Sequence, residues 1–266
     1  MPPSTTSTVR DLVGDATGHR YVFTELSLPA GGTTPFRRHP DDLRTHIVIG
    51  GAVELEAAAA PGEVSTTRYG AFTGWHAPPG SVYRLVNRGD TEALVIEAGT
   101  RAGTVREADD AAALLDTAAP PPACRDASDY TVDKPWGHEI WYTANLDGPP
   151  YAVKQIHMTA GHQSSLQSHR FKAETNYVVE GEAKVLNGLR APADTTEAVD
   201  PARIPAALHG PRTGWSSAPD ILHRVIAQRT YTSVEVSTSE LDDVIRWQDD
   251  TGRGDGRIDS EHEGAR

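Results

Sequence analysis

A single cysteine, Cys124, stands among the 266 residues, so no intramolecular disulfide can form. Nothing around it in "PPPACRDAS" supplies the histidine partner that a thiolate nucleophile needs, and Cys124 reads as linker. Long hydrophobic runs are also missing. No stretch approaches the roughly 20 apolar residues of a membrane-crossing helix, and the Ser/Thr/Pro-rich start has no apolar signal segment. The expectation is a cytoplasmic protein without a membrane partner. Positive charge is scarce as well. With 25 Lys and Arg against 37 Asp and Glu, the formal net charge is −12, which argues against nucleic acid and anionic membrane surfaces as main partners. No helix-turn-helix signal argues the other way.

What the chain has in quantity is strand signal. Segments such as "YVFTELSL" (21–28), "RTHIVIGGAVELE" (44–56), "YAVKQIHM" (151–158), "TNYVVEGEAKVLN" (175–187) and "HRVIAQRTYTSVEVS" (223–237) are rich in β-branched and aromatic residues and bounded by Gly, Pro and Asp. The fold class is all-β. One helix is predicted at 105–117, "VREADDAAALLDT". The length allows two cores of roughly 100 residues each. The divisions are an N-terminal domain at 1–119, a linker at 120–130 marked by the proline run, a C-terminal domain at 131–250, and a tail at 251–266. That tail is too polar to offset its ordering entropy and is expected to be disordered.

Glycines used as rulers reveal an internal repeat. In the second half, Gly161 is followed by Gln167-x-His169, then Glu174, then Gly181. In the first half, Gly31 is followed at identical spacing by Arg37-x-His39, Arg44 and Gly51. Each copy has a second signature, "PPGSVYRLVN" (78–87) and "APDILHRVIA" (218–227), which aligns Tyr83 with His223.

The pattern Gly-x5-His-x-His-x4-Glu-x6-Gly, followed by Pro-x-Gly-x2-His, resembles the two-part cupin motif, and its duplication resembles a bicupin. The resemblance implies two tandem double-stranded β-helix (jelly-roll) barrels. Over about 134–253, "KPWGHEIWY", "SLQSHRFKAETNYVVEGEAKV", "LHRVI" and "ELDDVIRWQDDTGR" look like the cupin domain of type II phosphomannose isomerases (mannose-6-phosphate isomerase-like). The departures are specific. His169 is followed by Arg170 and Phe171 where that family carries further histidines, Lys172 stands for an arginine, and Ala218 and Asp220 replace the usual Pro and Gly. The stretch 188–217 is longer than the family's hairpin, and a second cupin stands where a nucleotidyltransferase domain is often fused.

Alternation along a strand puts Gln167 and His169 on one face, and only a closed sheet can bring Glu174 and His223 to them. Two imidazoles, a carboxylate and an amide oxygen suit one divalent ion, Zn, Mn, Fe or Ni. In the first half, Arg37, His39, Arg44 and Tyr83 occupy the ligand positions; two guanidiniums repel a cation, so that barrel is expected to be metal-free. Arg37 and Arg44 are expected to pair with Asp41 and Asp42. Lys154, Lys172 and Arg224 are candidates for binding a substrate phosphate or carboxylate, against the plainer reading of solvated surface charges; Arg224 should face away from the interior if His223 faces in. Lys154 and Glu182 are candidates for the proton-transfer group. His157, His162 and His209 read as surface or loop histidines, and Trp136 as a core aromatic.

The functional expectation is a metal-dependent cupin enzyme, a sugar or sugar-phosphate isomerase or epimerase acting on a small polar substrate. The alternatives are a non-haem metal oxygenase or other tailoring enzyme, and a non-catalytic small-molecule binder. An uncovered sheet edge leads further to a homodimer.

Overall fold

The computed structural model describes residues 7–13, 20–100, 104–116, 119–250, 252 and 256–258. The chain divides into two compact units, Met1–Ala127 and Ser128–Arg266. Among the described residues there is no α-helix, and every strand pairing is antiparallel.

The first unit has strands β1 (Thr8–Asp11), β2 (Tyr21–Leu28), β3 (Phe36–Arg38), β4 (Arg44–Gly50), β5 (Ala52–Ala60), β6 (Glu63–Gly70), β7 (Gly74–Ala77), β8 (Val82–Val86), β9 (Ala93–Thr100), β10 (Arg106–Ala108) and β11 (Arg125–Asp126). One sheet runs β1-β2-β9-β4-β7-β11 and the other β10-β3-β8-β5-β6. Their inner faces share a core built on Leu26, Val48, Leu55, Trp75, Tyr83 and Val95. This is a jelly-roll barrel, closed by the alternation that the sequence shows.

The second unit has β12 (Tyr130–Lys134), β13 (Gly137–Trp141), β14 (Tyr151–Met158), β15 (Leu166–Ser168), β16 (Glu174–Arg190), β17 (Ala206–His209), β18 (Gly214–Ser217), β19 (Ile221–Thr238), β20 (Val244–Gln248) and β21 (Gly256–Ile258). Where the first unit uses the separate strands β4 and β5, then β8 and β9, this one uses single long strands, β16 and β19. They pair with each other along most of their length, with irregularities in register near Val178, Glu180, Glu182 and Asn187. Such bulges bend a strand around a barrel corner.

The repeat holds at the level of hydrogen bonding. Gln167 pairs in register with His223, as Arg37 does with Tyr83. Gly80 donates its N–H to His39 O, and Asp220 donates its N–H to His169 O. Asp220 adopts a φ of 62° where Gly80 has 87°, a left-handed conformation that Asp tolerates better than most side chains. The ruler glycines have positive φ throughout: Gly31 68°, Gly51 69°, Gly161 80° and Gly181 78°.

One sequence expectation is corrected, and two other segments show contacts that the sequence did not announce. Where a helix was expected at 105–117, the described residues 105–116 contain β10 and a single 3-10 turn, Ala111–Ala113. β10 gains a partner in β3, and Asp110 caps the turn by accepting from the Ala112 N–H, so pairing outweighs local alanine propensity. The division between the two units, after Ala127, falls inside the expected linker at 120–130, whose residues make defined contacts. Ser81 Oγ donates to Pro122 O, Cys124 packs against the first core, Arg125–Asp126 pair with β7, and Tyr130 opens β12. In the tail, Gly256–Ile258 adds a strand to β20, because an open sheet edge supplies hydrogen bonds that composition cannot reveal. The rest of 251–266 lies outside the described residues, Gly252 apart.

A methyl group on Gly181 would sit 1.9 Å from Thr230 O, whereas one on Gly161 meets nothing within 4 Å. Gly181→Ala is therefore expected to cost about 3 kcal/mol or more in urea denaturation, and Gly161→Ala about 1 kcal/mol, from backbone strain alone. Equal losses would refute the steric account.

Candidate metal centre

Three strands of the second barrel, and the turn that follows the first of them, deliver the four residues picked out by spacing. Gln167 lies on β15, His169 just beyond it, Glu174 opens β16, and His223 lies near the start of β19. His169 and His223 are 5.0 Å apart between ring centroids. His169 Nε2 is 3.4 Å from Glu174 Oε2, and His223 Nε2 is 3.1 Å from Glu174 Oε1. One ligand atom from each of these three residues lies within 4.8 Å of the others. Gln167 Nε2 is 3.2 Å from His223 Nε2, while its Oε1 accepts from Ser165 Oγ at 3.2 Å. Rotating the amide exchanges the two ends, a choice that heavy-atom positions alone leave free.

The rings are held from behind. His169 Nδ1 donates to Asp243 O, and His223 Nδ1 donates to Ile221 O at 3.0 Å, which turns both Nε2 atoms inward, the way a carbonyl behind a metal-binding histidine fixes its tautomer and ring orientation. His169 Nε2 is buried without a hydrogen-bond partner. A buried, unpartnered imidazole nitrogen facing a carboxylate and a second imidazole fits a divalent cation.

The electrostatics agree. Burial opposes charge on Glu174, but Lys172 and the two histidines hold its carboxyl well below the usual range. Burial, followed by Lys172, pushes His169 down, which keeps it neutral and fit to ligate. Burial also opposes charge on His223, but Glu174 prevails and raises it.

Around the four residues lies a shell of opposed charges. Lys172 Nζ is 2.8 Å from Glu174 Oε2 and 3.2 Å from Glu235 Oε1. Lys154 Nζ is 3.1 Å from Glu139 Oε1 and 3.4 Å from Glu235 Oε1, and 5.0 Å from the Trp141 ring centroid. Lys134 Nζ stands 3.7 Å from Glu139 Oε2. The five charged groups Lys134, Glu139, Lys154, Lys172 and Glu235 line the same cavity as the four ligand candidates. Lys154 and Lys172 are thus buried, not the solvated charges of the plainer reading. Burial alone would lower the Lys154 ammonium, but Glu139, Glu235 and Glu174 outweigh it and raise it.

The other sequence candidates fall elsewhere. Glu182 is half-buried, paired in register with Arg229, and absent from the residues lining the cavity. Arg224 faces away, as the alternation required, donating to Gln248 O at 3.0 Å and lying 3.5 Å from Asp250. His157 stacks on His138 at 4.9 Å, His162 is exposed, and His209 packs against Trp215. Trp136 belongs to the core and also lines the cavity. Sequence reasoning passed over Glu139, Glu235 and Asp243. The first two carried a signal, a lone carboxylate among apolar neighbours in "GHEIW" and "SVEVS", where an inward-facing charge must find a partner.

In the first barrel the equivalent space is filled by an internal ion-pair cluster. Arg44 reaches Asp42 at 2.6 Å and Glu97 at 3.2 Å, His46 Nε2 lies 3.1 Å from Glu97, and Arg37 lies 2.9 Å from Glu107 and 3.9 Å from Glu97. Tyr83 Oη is 3.3 Å from His46 Nε2. The expected partner Asp41 is exposed; the carboxylates chosen are Asp42, Glu97 and Glu107. An Arg-plugged position of this kind does not offer a cation its ligands.

Burial lowers His39 to about 4 from an ordinary 6.5, with Glu97 opposing and Arg44, His46 and Arg37 assisting. A histidine depressed by folding binds its proton more readily when unfolded, so its contribution to stability is lost as pH falls through the window between 6.5 and 4. The loss attributable to His39 is at most about 3 kcal/mol. His39→Gln should flatten that part of the stability profile between pH 7 and 4.5; parallel profiles for wild type and variant would contradict it.

No protein-family model matches the chain, and no curated protein matches it. Solved structures do. Bacillus subtilis oxalate decarboxylase, studied for its Mn(II) centres, aligns with a TM-score of 0.64 at 9% identity, over 90% of this chain and 74% of that one. The coconut allergen cocosin aligns at 0.65 and 10% identity over 91% and 84%. Lactobacillus farciminis oxalate decarboxylase, as a formate complex, aligns at 0.62 and 10% identity over 90% and 83%. At such identities the likeness speaks for the fold, and with two jelly-roll units repeated in register it gives the conclusion: this chain has the duplicated barrel fold of the cupins.

Proposed function

We propose that the second barrel is a metal-dependent catalytic site for a small polyhydroxylated anion, and that it isomerises or epimerises a sugar phosphate. The observation that carries this reading is the charge balance of the cavity. Lys134, Lys154 and Lys172 offset Glu139, Glu174 and Glu235, so one divalent ion leaves the interior about two charges positive. A cavity of that sign favours a phosphate or carboxylate. The similarity of the sequence over 134–253 to phosphomannose isomerase cupins supports the sugar phosphate.

Gln167, His169, Glu174 and His223 would hold the ion, which supplies Lewis-acid polarisation of a carbonyl and its neighbouring hydroxyl. The remaining chemistry is the chain's own. Lys154 and Lys172, kept as ammonium ions by their carboxylates, present fixed positive charge to an anionic substrate and to enediolate charge. Moving a proton between adjacent carbons needs a side chain that can accept and return it, and Glu139 and Glu235 are the non-ligating carboxylates lining the cavity.

The assay is turnover of hexose and pentose phosphates by the purified chain. Complete removal of divalent ions should abolish it, and readdition restore it. Glu139→Gln and Glu235→Gln separate the two carboxylates: the proton carrier loses about 10²–10⁴-fold in kcat, while the other variant changes chiefly KM. Undiminished turnover without metal, or in both variants, defeats the proposal. A redox reading gains no support from a particular residue here, and oxygen uptake by the iron-loaded chain is the outcome that would favour it.

A further inference from the structure

The motif "ELDDVIRW" was singled out by resemblance, yet the four ligand candidates and the charged shell give it no task. Asp243, its second aspartate, immediately precedes β20. Its backbone carbonyl accepts the Nδ1–H of His169. Its carboxylate Oδ2 accepts the backbone N–H of Phe171 and, at 3.0 Å, that of Lys172. Those two amides belong to the four-residue loop, 170–173, that joins His169 to Glu174. One residue therefore grips one ligand candidate directly and, through the loop, sets where the next one begins.

Other contacts complete the frame. Ala173 N donates to Thr238 Oγ1 at 3.1 Å, and Asp220 N donates to His169 O. Asp243 is distinguished from these because it alone bears on an imidazole and the loop together. Phe171, within that loop, is exposed and contributes little packing of its own. With so little buried side chain over residues 170 and 171, the loop depends on hydrogen bonds for its position.

We infer that Asp243 is the positioning residue of the metal centre: it fixes the His169 tautomer through its carbonyl and the His169-to-Glu174 spacing through its carboxylate. The inference rests on the metal reading of the second barrel. Without the carboxylate, the loop amides turn to water and the two ligand atoms lose their mutual distance. Outer-shell groups of this kind typically contribute 10–100-fold in metal affinity.

The test uses the full chain and Co²⁺ alone, followed by its visible ligand-field absorption and by calorimetric titration. Wild type should bind one equivalent. Asp243→Ala should weaken binding by 10–100-fold and change the band shape, because the coordination geometry is altered. Asp243→Asn, which keeps an acceptor at the same place, should stay within about threefold of wild type and retain the wild-type spectrum. Asp243→Glu keeps the charge but displaces the acceptor by one methylene and should resemble Ala; it carries the test if the Ala chain fails to fold. Wild-type affinity and spectrum in Ala or Glu overturn the positioning role alone. Failure of wild type to bind Co²⁺, Mn²⁺ or Zn²⁺ overturns the metal reading and this inference with it.

Discussion

The second barrel is organised around one buried carboxylate. Glu174 sits between two imidazoles, with an ammonium 2.8 Å from one of its oxygens, in a place where an uncompensated charge would cost several kcal/mol. Everything near it answers that cost. The histidines are turned toward it by backbone carbonyls behind them, Lys172 is held by Glu235 on its far side, and Lys154 ties Glu235 to Glu139.

The first barrel shows the same scaffold with the sign reversed. Where Glu174 opens β16, Arg44 opens β4, and the compensating charge comes from Asp42 and Glu97. Both solutions place a charged pair at the same register position. In one, an acid is met by Lys172 and two imidazoles; in the other, a guanidinium is met by two carboxylates. A duplicated fold can thus hold charges of opposite sign at the same position of its two copies on a matching hydrogen-bond ladder.

Much of this was legible in the sequence because glycine spacing records backbone corners. Gly161 and Gly181 frame the ligand set, and steric conflict at Gly181 makes its identity obligatory. Strand alternation then sufficed to put Gln167 and His169 together and to send Arg224 outward. The lysine-to-glutamate shell was not legible, since a charged residue in a strand reads as solvent-facing until its cross-strand partner is known; Lys154 stands directly opposite Glu235 across β14 and β19. The 3-10 turn at Ala111–Ala113 and the added strand at Gly256–Ile258 escaped for a related reason. Both depend on a neighbouring strand that local composition does not report.

The length of β19 has an evolutionary corollary. One uninterrupted strand, Ile221–Thr238, carries both His223 and Glu235, whereas their counterparts Tyr83 and Glu97 lie on two strands separated by a turn at 87–92. An insertion or deletion in that turn leaves each flanking strand in phase with its own neighbours. A single-residue insertion between His223 and Glu235 would reverse which of the two faces inward. The first barrel can therefore drift in length between its two key positions, and the second must conserve the count of residues between them, so gaps in the alignment of future homologues should gather in one half of the duplication and avoid the other.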